Sequence, residues 1–225
     1  MRKKRRKLLL LGFDSLAYDL VKRWLHKLPT FYELISGERN VGWGELRSTI
    51  PPISPTAWAT IATGMNPRKT NVWTWLVFDK TQKRLKLMSS WRIRGLTFWD
   101  IGMLFRRKVA LVRYPFVMYS IYNKPLLRKT GSVVISGLPH AELNSQTVFP
   151  ETLLDNMLSD PTLSITPFID VNLRKNESAV RKSLLESMVK WWYASRRLFM
   201  SDDWDIFVNV FTETDAAQHY FMGHM

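Results

Sequence analysis

Apolar positions along this chain come in two spacings, and the two alternate from one end to the other. Short, mostly apolar runs of strand length occur at Leu8 to Leu11 with Phe13, at Val109 to Val112, at Ser132 to Gly137 and at Ile206 to Phe211. Such short runs suit strands buried in a sheet. Between them the apolar residues recur at three and four. Leu16, Leu20, Val21, Trp24, Leu25 and Leu28 mark one helical face, with Asp19, Lys22, Arg23 and Lys27 opposite. Pro29 ends that pattern. Thr30 and Glu33 are spaced as a capping box for a second helix to Ser36, closed by Gly37. A helix is also expected over Leu96 to Phe105, another over Pro150 to Leu158, and a long one after Asn176 from Glu177 to Met200. Val41 to Ile50 reads as a strand, Val72 to Leu87 as a hairpin around Asp79-Lys80, and Tyr114 to Leu127 as a loop. Alternation of strand and helix predicts an α/β domain with a mostly parallel sheet flanked by helices.

Composition narrows the partners. The net charge is +14, and six of the positive charges fall in Arg2 to Lys7, so residues 1–7 read as a basic tail ahead of a domain over 8–225. A basic chain suits an anionic partner. The tail followed by leucines resembles a leader, but the apolar run stops at Asp14 and no stretch approaches the roughly 20 apolar residues of a membrane span. The expectation is a cytoplasmic protein, with Arg2 to Lys7 able to lean on an anionic membrane surface. There are no cysteines, which excludes disulfides and thiolate metal sites.

The candidate chemistry sits where strand runs stop. Asp14 follows the first strand, and open α/β sheets bind ligands outside the carboxyl ends of their strands. Capping the next helix is the alternative use of an aspartate there. In Thr49-Ile50-Pro51-Pro52-Ile53-Ser54-Pro55-Thr56-Ala57-Trp58 the prolines impose an extended approach, and Pro55 suits a first helical turn. Ser54 then reads as the N-cap of a helix to Thr63, with Gly64 behind it, or as a nucleophile whose attacked phosphate meets the helix N-terminus. Past the last strand lies Asp215, with His219 four residues on. In a helical turn these share a face and can chelate one divalent cation through oxygen and nitrogen, donors that zinc and manganese accept. A cap plus a surface histidine is the alternative.

The blocks LLLLGFDS, LRSTIPPISPTAWATIATGMNPRKT, TFWDI, VVISGLP, FPETL and FVNVFTETDAAQHYF occur in the order and spacing of a known family. From Lys7 to Phe221 the chain resembles the type I phosphodiesterase/nucleotide pyrophosphatase proteins of the alkaline phosphatase superfamily. The resemblance implies an alkaline-phosphatase-like sheet with two divalent metal ions, usually zinc, and hydrolysis of phosphoric esters through a covalent phospho-enzyme intermediate. It implies that Asp14 and Ser54 hold one metal, that Ser54 is the nucleophile, and that Asp215 and His219 hold the other. A serine stands where most such relatives have threonine. The resemblance also implies an Asp-His pair and a later histidine, which find no match up to Met225; His224 lacks the right context. The family's phosphate-contacting asparagine has no counterpart either, the region reading Val72-Trp73-Thr74-Trp75. The expectation is therefore a C-terminally incomplete catalytic domain, or a natural truncation with lost activity. Its substrate would be a phosphate-ester small molecule or nucleotide. A second class of reading is a non-catalytic basic module binding nucleic acid or an anionic membrane through Arg2 to Lys7 and Arg106-Arg107-Lys108, although no nucleic-acid-binding motif is present.

Overall fold

The structure is a computed structural model; it describes residues 6–37, 41–88, 93–117, 124–138, 143–159 and 176–221. In chain order, β1 (Leu8–Phe13) leads to α1 (Tyr18–Trp24), a single 3-10 turn (Leu25–Lys27) and α2 (Pro29–Ser36). Then come α3 (Ser54–Thr63), α4 (Pro67–Thr70), the strands β2 (Leu76–Asp79) and β3 (Arg84–Leu87), and α5 (Phe98–Leu104). The rest is β4 (Val109–Tyr114), α6 (Lys124–Thr130), β5 (Val133–Ser136), β6 (Val148–Phe149), α7 (Glu151–Ser159), α8 (Glu177–Met200), β7 (Ile206–Phe211) and α9 (Glu213–Phe221).

One five-stranded sheet runs in the order β1-β7-β4-β5-β6. Its first four strands are mutually parallel, and β6 closes the far edge antiparallel to β5. The sheet is mostly parallel, as the alternating pattern implies. Strand residues divide by parity between its two faces. Val109 and Leu111 join Trp58, Trp99, Met103 and Tyr114 on the side of α3 and α5, while Ala110 and Val112 join Leu154, Trp191 and Ala194 on the side of α7 and α8. The strands β2 and β3 form a separate hairpin, where the Asp79 carboxylate accepts from the N–H groups of Thr81 and Gln82 and pairs with Lys86 at 2.6 Å.

Several expectations are corrected. Val41 to Ile50 forms no strand: 41–50 runs without a ladder partner among the described residues, and Tyr18 packs on Trp43 at 4.8 Å. The Thr30–Glu33 capping box does not form, because Pro29 takes the first position of α2 and its N-cap is Leu28. The helix begun at Leu16 shortens to α1 plus the 3-10 turn. Residues 124–127, expected in a loop, are helical in α6; 118–123 lie outside the described residues. The first strand is buried on only one face. Among the described residues β1 is an outer strand pairing with β7 alone, and Leu9 and Leu11 are about half exposed. Of the basic tail, residues 1–5 lie outside the described residues; Lys7 pairs with Asp203. Among the described residues no helix is long and apolar enough to cross a membrane.

Candidate functional site

Parallel pairing aligns the carboxyl ends of β1 and β7, with Phe13 opposite Phe211. Asp14 and the start of α9 therefore emerge side by side. The Asp14 N–H donates to the Phe211 carbonyl at 2.9 Å, and the Thr214 hydroxyl donates to the Asp14 carbonyl at 2.6 Å. Ser15, at φ 60°, turns its hydroxyl onto the Asp215 carboxylate, and the Gln218 amide donates to the Ser15 carbonyl. Asp215 thus faces the β1 tip, and His219 Nε2 lies 3.5 Å from Asp215 Oδ2 on the same helical face.

From the other side α3 brings Ser54. Its local geometry starts with Thr56, fully buried, whose hydroxyl is within 2.8 Å of the carbonyls of Pro51 and Ile53 and of the Thr49 hydroxyl. That cluster fastens the proline-rich approach, in which Ile50–Pro51 is cis. Ser54 is the first residue of α3 and Ile53 its N-cap, so the N-cap assignment of Ser54 is off by one. Its hydroxyl makes no capping bond; it donates to Asp14 Oδ1 at 3.1 Å. Asp14 in turn caps nothing: α1 has Ala17 as its N-cap, without a side-chain cap. Both capping alternatives therefore fail.

Asp14 is 4 % exposed. Trp58 Nε1, one turn along α3 from Ser54, donates to Asp14 Oδ1 at 3.0 Å. Trp58 is itself held: Tyr114 donates to its carbonyl at 2.7 Å and packs edge-on at 5.3 Å. Gly12 leaves room for it, since a Cβ there would sit 2.5 Å from Trp58 Cη2. Asp14 Oδ2 is buried with no hydrogen-bond partner. Burial above all, and then the charge of Asp215, raise the Asp14 carboxyl from its ordinary range, against the lowering bonds from Trp58 and Ser54.

All four residues singled out in the sequence, Asp14, Ser54, Asp215 and His219, line one cavity of about 710 Å³, with Ser15, Pro52, Ile53, Pro55, Trp75, Leu138 and Gln218. Sequence reasoning missed Ser15, Trp58 and Gln218, whose roles exist only across 40 or more residues of separation. It also missed a buried clamp behind α9. Arg113 Nη1 donates to both Glu213 oxygens at 2.8 and 3.0 Å, and its Nη2 donates to Thr212 at 2.7 Å. Ser187 of α8 adds a bond to Glu213 at 2.7 Å, and the guanidinium lies over the Trp191 ring at 4.5 Å. Arg113 sits at the irregularity between Val112 and Tyr114, with φ 57°, which re-aims its side chain.

The donor chemistry suits a divalent cation. A buried carboxylate oxygen without a partner, a second carboxylate whose charge disfavours it, a hydroxyl and an imidazole share one cavity. Among the described residues no three His, Asp or Glu side chains gather closely enough to hold a metal on their own.

Comparison with known proteins fits this arrangement. The family model for type I phosphodiesterase / nucleotide pyrophosphatase matches residues 8–224. The chain belongs to this family. Type I phosphodiesterases and nucleotide pyrophosphatases are phosphoester hydrolases that generally depend on divalent metals. No curated protein matches the sequence. Among solved structures, phosphonoacetate hydrolase from Sinorhizobium meliloti 1021, in complex with phosphonoacetate, matches with a TM-score of 0.56 at 15 % identity. The match covers 94 % of this chain and 47 % of that one, so the chain spans about half the length of the solved protein. The likeness gives this phosphodiesterase-family chain an alkaline-phosphatase-like fold.

Proposed function

We propose that this chain carries the nucleophile side of a metal-dependent phosphodiesterase or nucleotide pyrophosphatase site, with Ser54 attacking phosphorus. The observation that carries the reading is the hydrogen bond from Ser54 to Asp14 Oδ1 in the first turn of α3, inside the cavity shared with Asp215 and His219. Asp14 orients the hydroxyl, and Trp58 fixes Asp14. The unpaired N–H groups at the start of α3 favour the negative phosphoryl oxygens. Attack forms an Oγ–P bond as the hydroxyl proton passes to water, and breaks the bond from phosphorus to the departing alkoxide or phosphate, which takes up a proton from water. Water then hydrolyses the phosphoryl–serine ester, releasing the monoester that keeps the remaining organic group and restoring the hydroxyl.

Asp14 and Ser54 would hold one divalent ion, and Asp215 and His219 a second, zinc or manganese. Bound there, such ions would lower the pKa of the hydroxyl and neutralise charge on the phosphoryl oxygens. The buried, unpartnered Asp14 Oδ2 supports a cation at that position. The test is hydrolysis of a generic aryl phosphodiester with zinc or manganese supplied. Ser54→Ala is expected to lower kcat by roughly a thousandfold or more, and Ser54→Thr, which keeps the hydroxyl, to retain turnover. Full activity in Ser54→Ala would rule out Ser54 as nucleophile.

A further inference from the structure

Parallel strands give the molecule two unlike ends. The cavity lies at the carboxyl ends of β1 and β7. β1, β7, β4 and β5 all start at the opposite end, about 20 Å away for a strand of six residues. α5, α6 and α8 lead into β4, β5 and β7, so their last turns gather there too. Backbone bonds tie this end together. The Leu8 N–H donates to the Asp205 carbonyl, and the Asp205 N–H donates to the Lys108 carbonyl. The Val109 N–H donates to the Ser132 hydroxyl at 2.9 Å, which brings the end of α6 against that of α5. We propose that this end is a docking face for an anionic lipid bilayer, holding the protein with its cavity turned toward solution.

The face carries surplus positive charge. The aspartates ahead of β7 are already matched: Lys7 pairs with Asp203, Lys108 with Asp202, and Arg107 with Asp205 at 3.0 Å. Arg106, Arg128 and Lys129 are exposed and make no ion pair among the described residues. Arg6 is exposed beside Lys7, and Arg2, Lys3, Lys4 and Arg5 precede it in the sequence. Clustered cations of this kind are drawn to the negative potential of an anionic leaflet. Charge alone suits any polyanion; the neighbouring apolar side chains decide for a bilayer. Phe105 is 76 % exposed, Leu104 58 % and Met200 69 %. Leu104 and Phe105 close α5 directly ahead of Arg106, and Met200 closes α8. Since α5 and α8 cover opposite faces of the sheet, apolar tips flank the strand ends on both sides. Large apolar side chains among cations suit the boundary between headgroups and acyl chains. A phosphodiester backbone would engage the cations and leave those side chains in water.

Sedimentation of the chain with phosphatidylcholine vesicles, with and without phosphatidylserine, at physiological salt tests the proposal. Binding is expected to the anionic vesicles only. Arg106→Ala combined with Arg128→Ala is expected to weaken it roughly 30-fold, about fivefold for each charge removed. Phe105→Ser is expected to weaken it roughly three- to tenfold. Arg84→Ala, on the hairpin that starts beside Trp75 at the cavity, is expected to stay within about twofold because salt screens distant charges. The chain has no cysteine, so Phe105→Cys and Arg84→Cys each create a single site for a polarity-sensitive dye. On anionic vesicles the dye on Phe105→Cys is expected to shift to the blue, and that on Arg84→Cys to stay unchanged. No binding to the anionic vesicles, equal binding to both vesicle types, or an unshifted dye on Phe105→Cys overturns the proposal. So does binding that survives both Phe105→Ser and the paired arginine change. Tighter binding to duplex DNA than to the anionic vesicles, indifferent to Phe105→Ser, overturns it in favour of a nucleic-acid partner.

Discussion

Removing Glu213 would leave Arg113 as an unpaired charge in the interior, and the consequence can be worked from the structure. Both side chains are 6 % exposed. Burial by itself lowers the Arg113 pKa, and the charge and hydrogen bonds of Glu213 oppose that. In Glu213→Ala the guanidinium keeps the Thr212 hydroxyl and the face of Trp191, but loses a two-pronged carboxylate. Breaking one side of such a buried pair costs about 3–5 kcal/mol, which for a chain of this size lowers Tm by about 6–20 °C. That is a large share of the 5–15 kcal/mol or so that holds a typical domain together. Thermal and guanidinium melts followed by circular dichroism measure it. Replacing both partners by apolar residues, Arg113→Met with Glu213→Leu, is expected to recover much of the loss, because no charge is then stranded. A Glu213→Ala cost below about 1 kcal/mol, the range of an exposed pair, would refute the picture of a dry clamp behind α9.

Asp14→Asn is expected to act in opposite directions with and without metal. Folding raises the Asp14 carboxyl above its ordinary 3.8, so between that value and its folded pKa the native chain binds more protons than the unfolded one, and stability falls as pH rises. With a chelator at pH 7 the variant is therefore expected to melt higher than the wild type, with the gap closing as pH falls toward 3.8; added zinc is expected to raise the wild-type Tm and not the variant's. A lower Tm for the variant under chelation would contradict the burial argument. Gly12→Ala drives a methyl to 2.5 Å from Trp58 and 3.2 Å from Val210, so a loss of about 1–3 kcal/mol by denaturant midpoint is expected, together with reduced hydrolysis as Trp58 is displaced from Asp14. Gly44→Ala, where a Cβ meets nothing within 4 Å, is the control and is expected to shift stability by less than about 0.5 kcal/mol.

What could be read from the sequence follows from how local each signal is. Asp14 and Asp215 stood out because an apolar run that stops at a carboxylate marks a strand tip in any α/β sheet. The sheet then places both tips together through a register no sequence window contains. Ser54 was visible through its prolines, yet two local signals, a serine cap and a proline first turn, differed by one residue, and the backbone at Ile53 decided between them. At Pro29 and Thr30 the same competition went to proline, whose missing N–H suits the first helical position. Trp58 carried no signal of its own; its bond to Asp14 depends on Gly12, 46 residues away and without a side chain to signal anything. Arg113 and Glu213 are 100 residues apart and joined by a strand irregularity, so neither carried a pattern.

β1 combines two roles that pull against each other. Among the described residues it is held along one side only, by β7, yet its last turn presents Asp14. Amide protons at an outer strand exchange through openings smaller than full unfolding. Such an opening at β1 carries Asp14 away from Ser54 and Trp58 while β4, buried along its whole length, stays paired on both sides. The lifetime of the assembled site is then set by the fraying of a single strand and not by the global stability of the fold. A ligand that bridges Asp14 to Asp215 on α9 would lengthen that lifetime without touching the core.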